Sequence, residues 1–194
     1  MKEKKKQSFF FGCLIAFSSF VILFILMVAM VPDEVYTDYT NPRYHFSMQY
    51  PSSWTVIDQV TPPVMVQFAS PKSSEVDDIT ENVNIVYFDL SRKRYKDLNS
   101  FSKTTVDQLV GTFGDQMTVQ DSRSINFGGL PGYRLSYVGH PAPGDPNRGQ
   151  LKYLHVWTVR GDYAYIFTYA GEKTEFNENL QYVEQMIASF QFDK

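Results

Sequence analysis

The stretch LKYLHVWTVRGDYAYIFTY, residues 151–169, constrains this chain more than any other. It is two runs of β-branched and aromatic residues joined at Gly161-Asp162, the pattern of a tight hairpin with glycine at the first central position of its turn. A two-residue loop sets Arg160 opposite Tyr163, Thr158 opposite Tyr165, Val156 opposite Phe167 and Leu154 opposite Tyr169. Side chains alternate along a strand, so Tyr153, His155, Trp157 and Val159 share the other face with Ala164, Ile166 and Thr168. Both faces are largely apolar, and a hairpin of this kind must be covered on both sides.

The chain offers the cover. Val106, Leu109, Val110 and Phe113 repeat at helical spacing after Leu98, with Asn99 or Ser100 as cap, until Gly114 stops the run. Phe176, Leu180, Val183, Ile187 and Phe190 step by 4, 3, 4 and 3 residues, the clearest amphipathic helix in the sequence. Strands are predicted before the first helix at residues 44–50, 54–60, 64–69 and 82–90, and after it at 117–127 and 133–137. The stripe of 117–127 is interrupted by Asp121 and Arg123, which suits a place near a sheet edge. The connections are mostly short turns, so the sheet is expected to be antiparallel. The predicted fold is α+β, an α/β/α sandwich whose central antiparallel sheet is flanked by helices, over residues 43–194.

Residues 9–31 are 23 residues without Asp, Glu, Lys, Arg or Pro. As a helix they would span about 34 Å, enough for a hydrocarbon core of about 30 Å. A secretory signal has a shorter apolar core and small residues at its cleavage site, whereas here Met27 and Met30 flank Val28-Ala29. Lys2, Lys4, Lys5 and Lys6 precede the span, so residues 1–8 are predicted to be a cytoplasmic tail and the body to lie outside the cell membrane. The expectation is a single-pass signal anchor with residues 32–42 as linker; a slowly cleaved signal peptide would also place the body outside.

Those four lysines against Glu3 give the first six residues +3, so a total of −3 leaves −6 for the rest. An acidic body argues against a nucleic-acid partner, which requires a basic face. The single cysteine, Cys13, excludes an intramolecular disulfide and a thiolate metal cluster.

No catalytic motif stands out. There is no HExxH, CxxC, G-x-S-x-G, Walker or dinucleotide-binding spacing. Of the three histidines, His45 falls on the polar side of its strand, His140 lies in a loop, and His155, between Tyr153 and Trp157, is expected to be neutral and hydrogen-bonded. Glu75, Asp77, Asp78 and Glu81 put four carboxylates into seven residues of a predicted loop. Hard cations take several oxygen ligands from adaptable backbone, so this is the candidate metal site, for calcium, against the alternative of a solvated acidic loop. Arg160-Gly161-Asp162 spells an adhesion tripeptide, but the hairpin turn accounts for it. Residues 140–149 hold three prolines and two glycines and form a candidate binding loop. Arg92, Lys93, Arg94 and Lys96 form a basic cluster before the first helix.

Three stretches together resemble the PsbP-like family. They are FSMQYPSSW at 46–54, GGLPGYRLSY at 128–137, and the hairpin and helix of residues 151–190. The resemblance covers about residues 40–192 and implies the same α/β/α sandwich. The family's best-known members are extrinsic subunits of photosystem II that help retain calcium and chloride, and many relatives outside photosynthesis are anchored or secreted proteins without assigned activity. This chain carries a predicted anchor where plant members carry a removable transit peptide, and no site residue carries over. The expected function is a non-enzymatic, membrane-anchored extracytoplasmic domain that binds a protein partner or supports a membrane complex; the alternative is a calcium or small-molecule binding module.

Overall fold

The computed structural model describes residues 34–72, 80–139 and 150–193. The predicted anchor therefore lies outside the described residues, among which no helix is long and apolar enough to cross a membrane. Residues from Val35 onward form one compact unit.

The hairpin is as the sequence predicts. Strand β8 (Leu151–Arg160) pairs with β9 (Tyr163–Glu172), with Arg160 against Tyr163, Val156 against Phe167 and His155 against Thr168. Gly161 has φ +61° and Asp162 does not share the positive φ, which is the glycine-first turn that matches strand twist. Around this pair an antiparallel seven-stranded sheet runs in the order β3-β4-β5-β9-β8-β7-β6. The added strands are β3 (Thr55–Ile57), β4 (Val64–Ala69), β5 (Asn82–Asp89), β6 (Thr118–Phe127) and β7 (Leu130–Gly139). β6 is an edge strand, with a register shift between Val119 and Asp121. Gly128-Gly129 alone makes its turn, so β7 begins at Leu130, ahead of the strand predicted at 133–137.

Helix α1 (Leu98–Phe113) covers one face. Its cap is Asp97, whose Oδ1 accepts from the Ser100 amide at 3.0 Å, ahead of the predicted Asn99 or Ser100. Phe101 packs on Leu135, Tyr137, Trp157 and Ile166. Ser102 is buried on that same face because the Trp157 indole Nε1–H donates to its Oγ at 2.7 Å. A polar residue at a core position thus satisfies the largest buried side chain of the hairpin.

The opposite face departs from the single-sheet expectation. A second sheet, in the order β1-β2-β10, lies over it beside helix α2 (Leu180–Ser189); its strands are β1 (Tyr36–Asn41), β2 (Phe46–Pro51) and β10 (Gln191–Phe192). The segment read as linker therefore contains a strand, paired residue for residue from Tyr36–Pro51 to Asn41–Phe46. Its alternation is hard to read in sequence because its outer face is exposed and rich in Thr and Asp. Phe46, Met48, Val183 and Met186 fill a core with Val66, Phe68, Val156 and Phe167. Phe176, read as the helix start, precedes α2 and packs on Tyr169 at 4.4 Å, its carbonyl accepting from that tyrosine's hydroxyl at 3.0 Å.

Arg134 ties β7, β6 and α2 together. Its guanidinium donates to both Glu184 carboxylate oxygens, at 2.9 and 2.6 Å, and its Nε to Asp121 at 3.1 Å.

Candidate functional site

The antiparallel topology sends every connection to one of two ends. One end carries the last residues of β2, β4, β7 and β9, at Pro51, Ala69, Gly139 and Glu172, and is where the chain enters at Val35. The other carries the β1–β2 turn at Pro42-Arg43-Tyr44-His45, the exit of β5 at Asp89, the hairpin turn at Gly161-Asp162 and the last residues, Phe192-Asp193. We call the second end the distal face. Six residues of β1 separate it from the entry point, roughly 20 Å at about 3.3 Å per residue.

Backbone contacts gather the distal face into one surface. The Asp193 amide donates to the His45 carbonyl at 3.0 Å, and the Leu90 amide to the Asp162 carbonyl at 2.7 Å. His45 takes φ +54° to close the tight β1–β2 turn. Between these segments lies an open cleft of about 650 Å³.

Tyrosines wall the cleft. Tyr87 stacks on Tyr163 at 4.8 Å, meets Tyr44 at 4.9 Å and sits edge-on to Tyr165 at 5.4 Å. Burial and the neighbouring Tyr163 hydroxyl push the Tyr87 phenol well above its ordinary range, so it is a neutral hydroxyl at physiological pH. Tyr165 is anchored from within, its hydroxyl donating to the Tyr44 carbonyl at 3.3 Å. Arg160 lies over Phe192 at 4.9 Å and its Nη2 donates to the Asp193 carbonyl at 3.0 Å, while Arg43 lies over Tyr44 at 5.3 Å. Among the described residues neither guanidinium has a carboxylate within 4.0 Å. Held by ring faces and a backbone carbonyl, the two arginines keep most of their N–H donors for an outside acceptor.

The residues singled out in sequence fare differently. Glu75, Asp77 and Asp78 lie outside the described residues, as do 140–149 with His140. Glu81, predicted on the same exposed acidic loop, is instead only 2% exposed: Ser70 Oγ donates to its Oε2 at 3.4 Å and its side chain covers Gly171. Among the described residues no group of three His, Cys, Asp or Glu is placed to hold a metal ion. His155 lies nearly parallel to Tyr137 at 5.6 Å and to Tyr153 at 6.2 Å, beside these two rings, which stack on each other at 5.0 Å; its Nε2 is 3.1 Å from the Tyr137 hydroxyl and its Nδ1 3.0 Å from Thr168 Oγ1. Burial pushes its pKa down to about 4, so it is the neutral, hydrogen-bonded histidine expected. The distal cluster itself was not legible as a site, because its residues come from four separate segments without a spacing rule.

The family model for PsbP matches residues 34–192, nearly all of the domain. The chain belongs to the PsbP family. The match begins before β1, in accord with that strand being part of the domain. Three solved structures share the fold of this PsbP-family domain at sequence identities too low to carry function. Cyanobacterial PsbP (CyanoP) from Synechocystis sp. PCC 6803 matches with TM-score 0.55 and 15% identity, over 84% of this chain and 95% of its own. The Ran-binding protein Mog1p of Saccharomyces cerevisiae matches with TM-score 0.56 and 8% identity, over 82% and 96%. LpqN of Mycobacterium tuberculosis, involved in cell envelope biogenesis, matches with TM-score 0.56 and 7% identity, over 84% and 93%. No curated sequence matches the chain.

Proposed function

We propose that this PsbP-family domain is a non-enzymatic binding module, held outside the cell by a membrane anchor at residues 9–31, that docks a protein partner on its distal face. The observation that carries the reading is the exposed cleft walled by Tyr44, Tyr87, Tyr163 and Tyr165 and flanked by Arg43 and Arg160. Tyrosine and arginine are the residues that most often dominate binding energy at protein interfaces, because each buries a large rigid surface and still offers a polar group. The same fold serves a Ran-binding protein in yeast, so protein recognition is within its range. His155, bonded to two neutral hydroxyls and lacking a carboxylate partner, is poorly equipped for acid–base chemistry.

The test is site-specific photo-crosslinking in intact membranes. A benzoylphenylalanine placed at Tyr87 should give one dominant protein adduct, abolished by Arg160→Ala, while the same probe at Lys173, on the opposite end, gives none. Equal labelling at both positions, or no protein adduct at Tyr87, would refute the docking reading. Protease added to spheroplasts should remove the body and leave the tail; protection of the body would refute the outward orientation.

A further inference from the structure

The distal face is the basic end of an acidic body. Eighteen Lys and Arg less the four of the tail leave fourteen in the body, and twenty-one Asp and Glu less Glu3 leave twenty. Of the twelve body cations among the described residues, six sit at the distal end: Arg43, Arg160 and the loop cations Arg92, Lys93, Arg94 and Lys96. Of the fifteen body carboxylates among the described residues, only five are there, namely Asp58, Asp89, Asp97, Asp162 and Asp193. Three of the five accept hydrogen bonds within the fold, and the other two, Asp162 and Asp193, line the cleft beside Arg160. Asp58 accepts from the Tyr39 hydroxyl at 2.8 Å, Asp89 from the Ser91 amide at 2.7 Å, and Asp97 caps α1.

The basic loop adjoins the cleft through the backbone without lining it. It leaves β5 at Asp89, which pairs with Tyr163, and its first turn is pinned where the Leu90 amide donates to the Asp162 carbonyl. Its four cations are exposed, and among the described residues none is in an ion pair. Cations elsewhere in the body are more often paired: Lys103 with Asp107, Arg123 with Asp121, and Arg134 with Asp121 and Glu184.

Resting on the partner-docking reading above, we infer that the segment this face receives is an acidic stretch of a protein. Its carboxylates would lie on Arg43, Arg160 and the 92–96 loop, with its apolar side chains against the tyrosine wall. A guanidinium fork takes a carboxylate in two parallel hydrogen bonds, and the rings beneath it hold the fork in place. The acidic remainder of the body repels the same segment elsewhere, which fixes where it lands. A lipid headgroup would also supply anions, but the face lies at the end of the domain opposite its entry at Val35, and its tyrosine walls are shaped for side chains.

The experiment uses the full chain in nanodiscs of zwitterionic lipid, titrated with fluorescein-labelled short peptides of repeated Glu-Glu-Leu, Gln-Gln-Leu and Lys-Lys-Leu. The Glu peptide is expected to bind at least about tenfold tighter than the Gln peptide, with an affinity that falls as salt rises, and the Lys peptide should not bind. Combining Arg43→Ala with Arg160→Ala should weaken the Glu peptide by about tenfold or more. Lys173→Ala, at the other end, should leave it unchanged, and unaltered tryptophan fluorescence would confirm that each variant is folded. Equal affinity for Glu and Gln peptides, an equal loss in Lys173→Ala, or no peptide binding overturns the inference. So does displacement of the Glu peptide by phosphatidylglycerol vesicles through the same arginines, which would assign the face to a lipid surface. If the peptides fail while the Tyr87 crosslink still reports one protein, the acidic chemistry is wrong and the docking reading stands; if both fail, the docking reading falls with it.

Discussion

His155 gives the domain a stability that depends on pH in a stated window. Its ring lies parallel beside the stacked pair Tyr137 and Tyr153, with both nitrogens bonded to neutral hydroxyls, and burial lowers its pKa from 6.5 to about 4. The unfolded chain therefore binds a proton at this residue between pH 6.5 and about 4 where the native chain does not, so stability is fully present above 6.5 and is lost as pH falls through that window. The loss amounts to about 2 kcal/mol at pH 5 and about 3 kcal/mol below pH 4. His155→Gln removes the titration and keeps a side chain able to bond the Tyr137 and Thr168 hydroxyls. Urea unfolding of both forms, followed by the two tryptophans, should show the variant less stable at pH 8 and the difference shrinking by about 2 kcal/mol at pH 5. Parallel pH curves for the two forms would refute the reasoning, because they would mean that the histidine charges as easily in the fold as outside it.

Ser102→Ala strands the buried Trp157 Nε1–H and should cost about 1–3 kcal/mol, read as a lower urea midpoint with an unchanged slope. Arg134→Ala, which removes an 11%-exposed side chain from Glu184 and Asp121, should cost about 1–3 kcal/mol in the same assay, and Glu184→Ala less, since Arg134 keeps Asp121. In Gly171→Ala the new Cβ would lie 2.6 Å from Glu81 Cγ; with Glu81 buried the cost should be about 1–3 kcal/mol, and adding Glu81→Ala should recover part of it. A calcium site on Glu75, Asp77, Asp78 and Glu81 would lose its buried fourth ligand, so millimolar calcium should shift the melting temperature by no more than about 1 °C; a larger shift abolished by Asp77→Asn would establish the site.

The hairpin was legible because its two signals agree. Gly161-Asp162 specifies the turn, and the turn fixes the register that puts Trp157 against Ile166 and Val156 against Phe167. The helices were legible from their stripes but not at their ends. Asp97 caps α1 through a side-chain bond that competes on equal terms with two polar neighbours in sequence, and Phe176 continues the hydrophobic spacing of α2 while lying outside it. β1 was missed because an edge strand over a core exposes one face, and Thr37, Asp38 and Thr40 carry no apolar alternation. Glu81 was misplaced because proximity in sequence to Asp77 and Asp78 says nothing of direction: it opens the approach to β5 and turns inward under Gly171.

The distal face shows why a binding site on this fold escapes motif reading. The central strands β8 and β9 supply side chains to both cores, so little freedom is left along their length, and the residues able to vary without disturbing either core are those at the turns. Arg43, Tyr87, Arg160 and Tyr163 belong to four segments whose spacing is set by strand length, and only the antiparallel order brings their ends together. The hairpin contributes on both counts: Trp157 and Phe167 in its middle hold α1 and the second sheet, and Arg160 and Tyr163 at its tip are carried to the surface by the same register. A one-residue slip would exchange the two faces of a strand and destroy core and cleft together. Substitutions at the tip should therefore alter binding with little effect on stability, and substitutions at the middle should do the reverse.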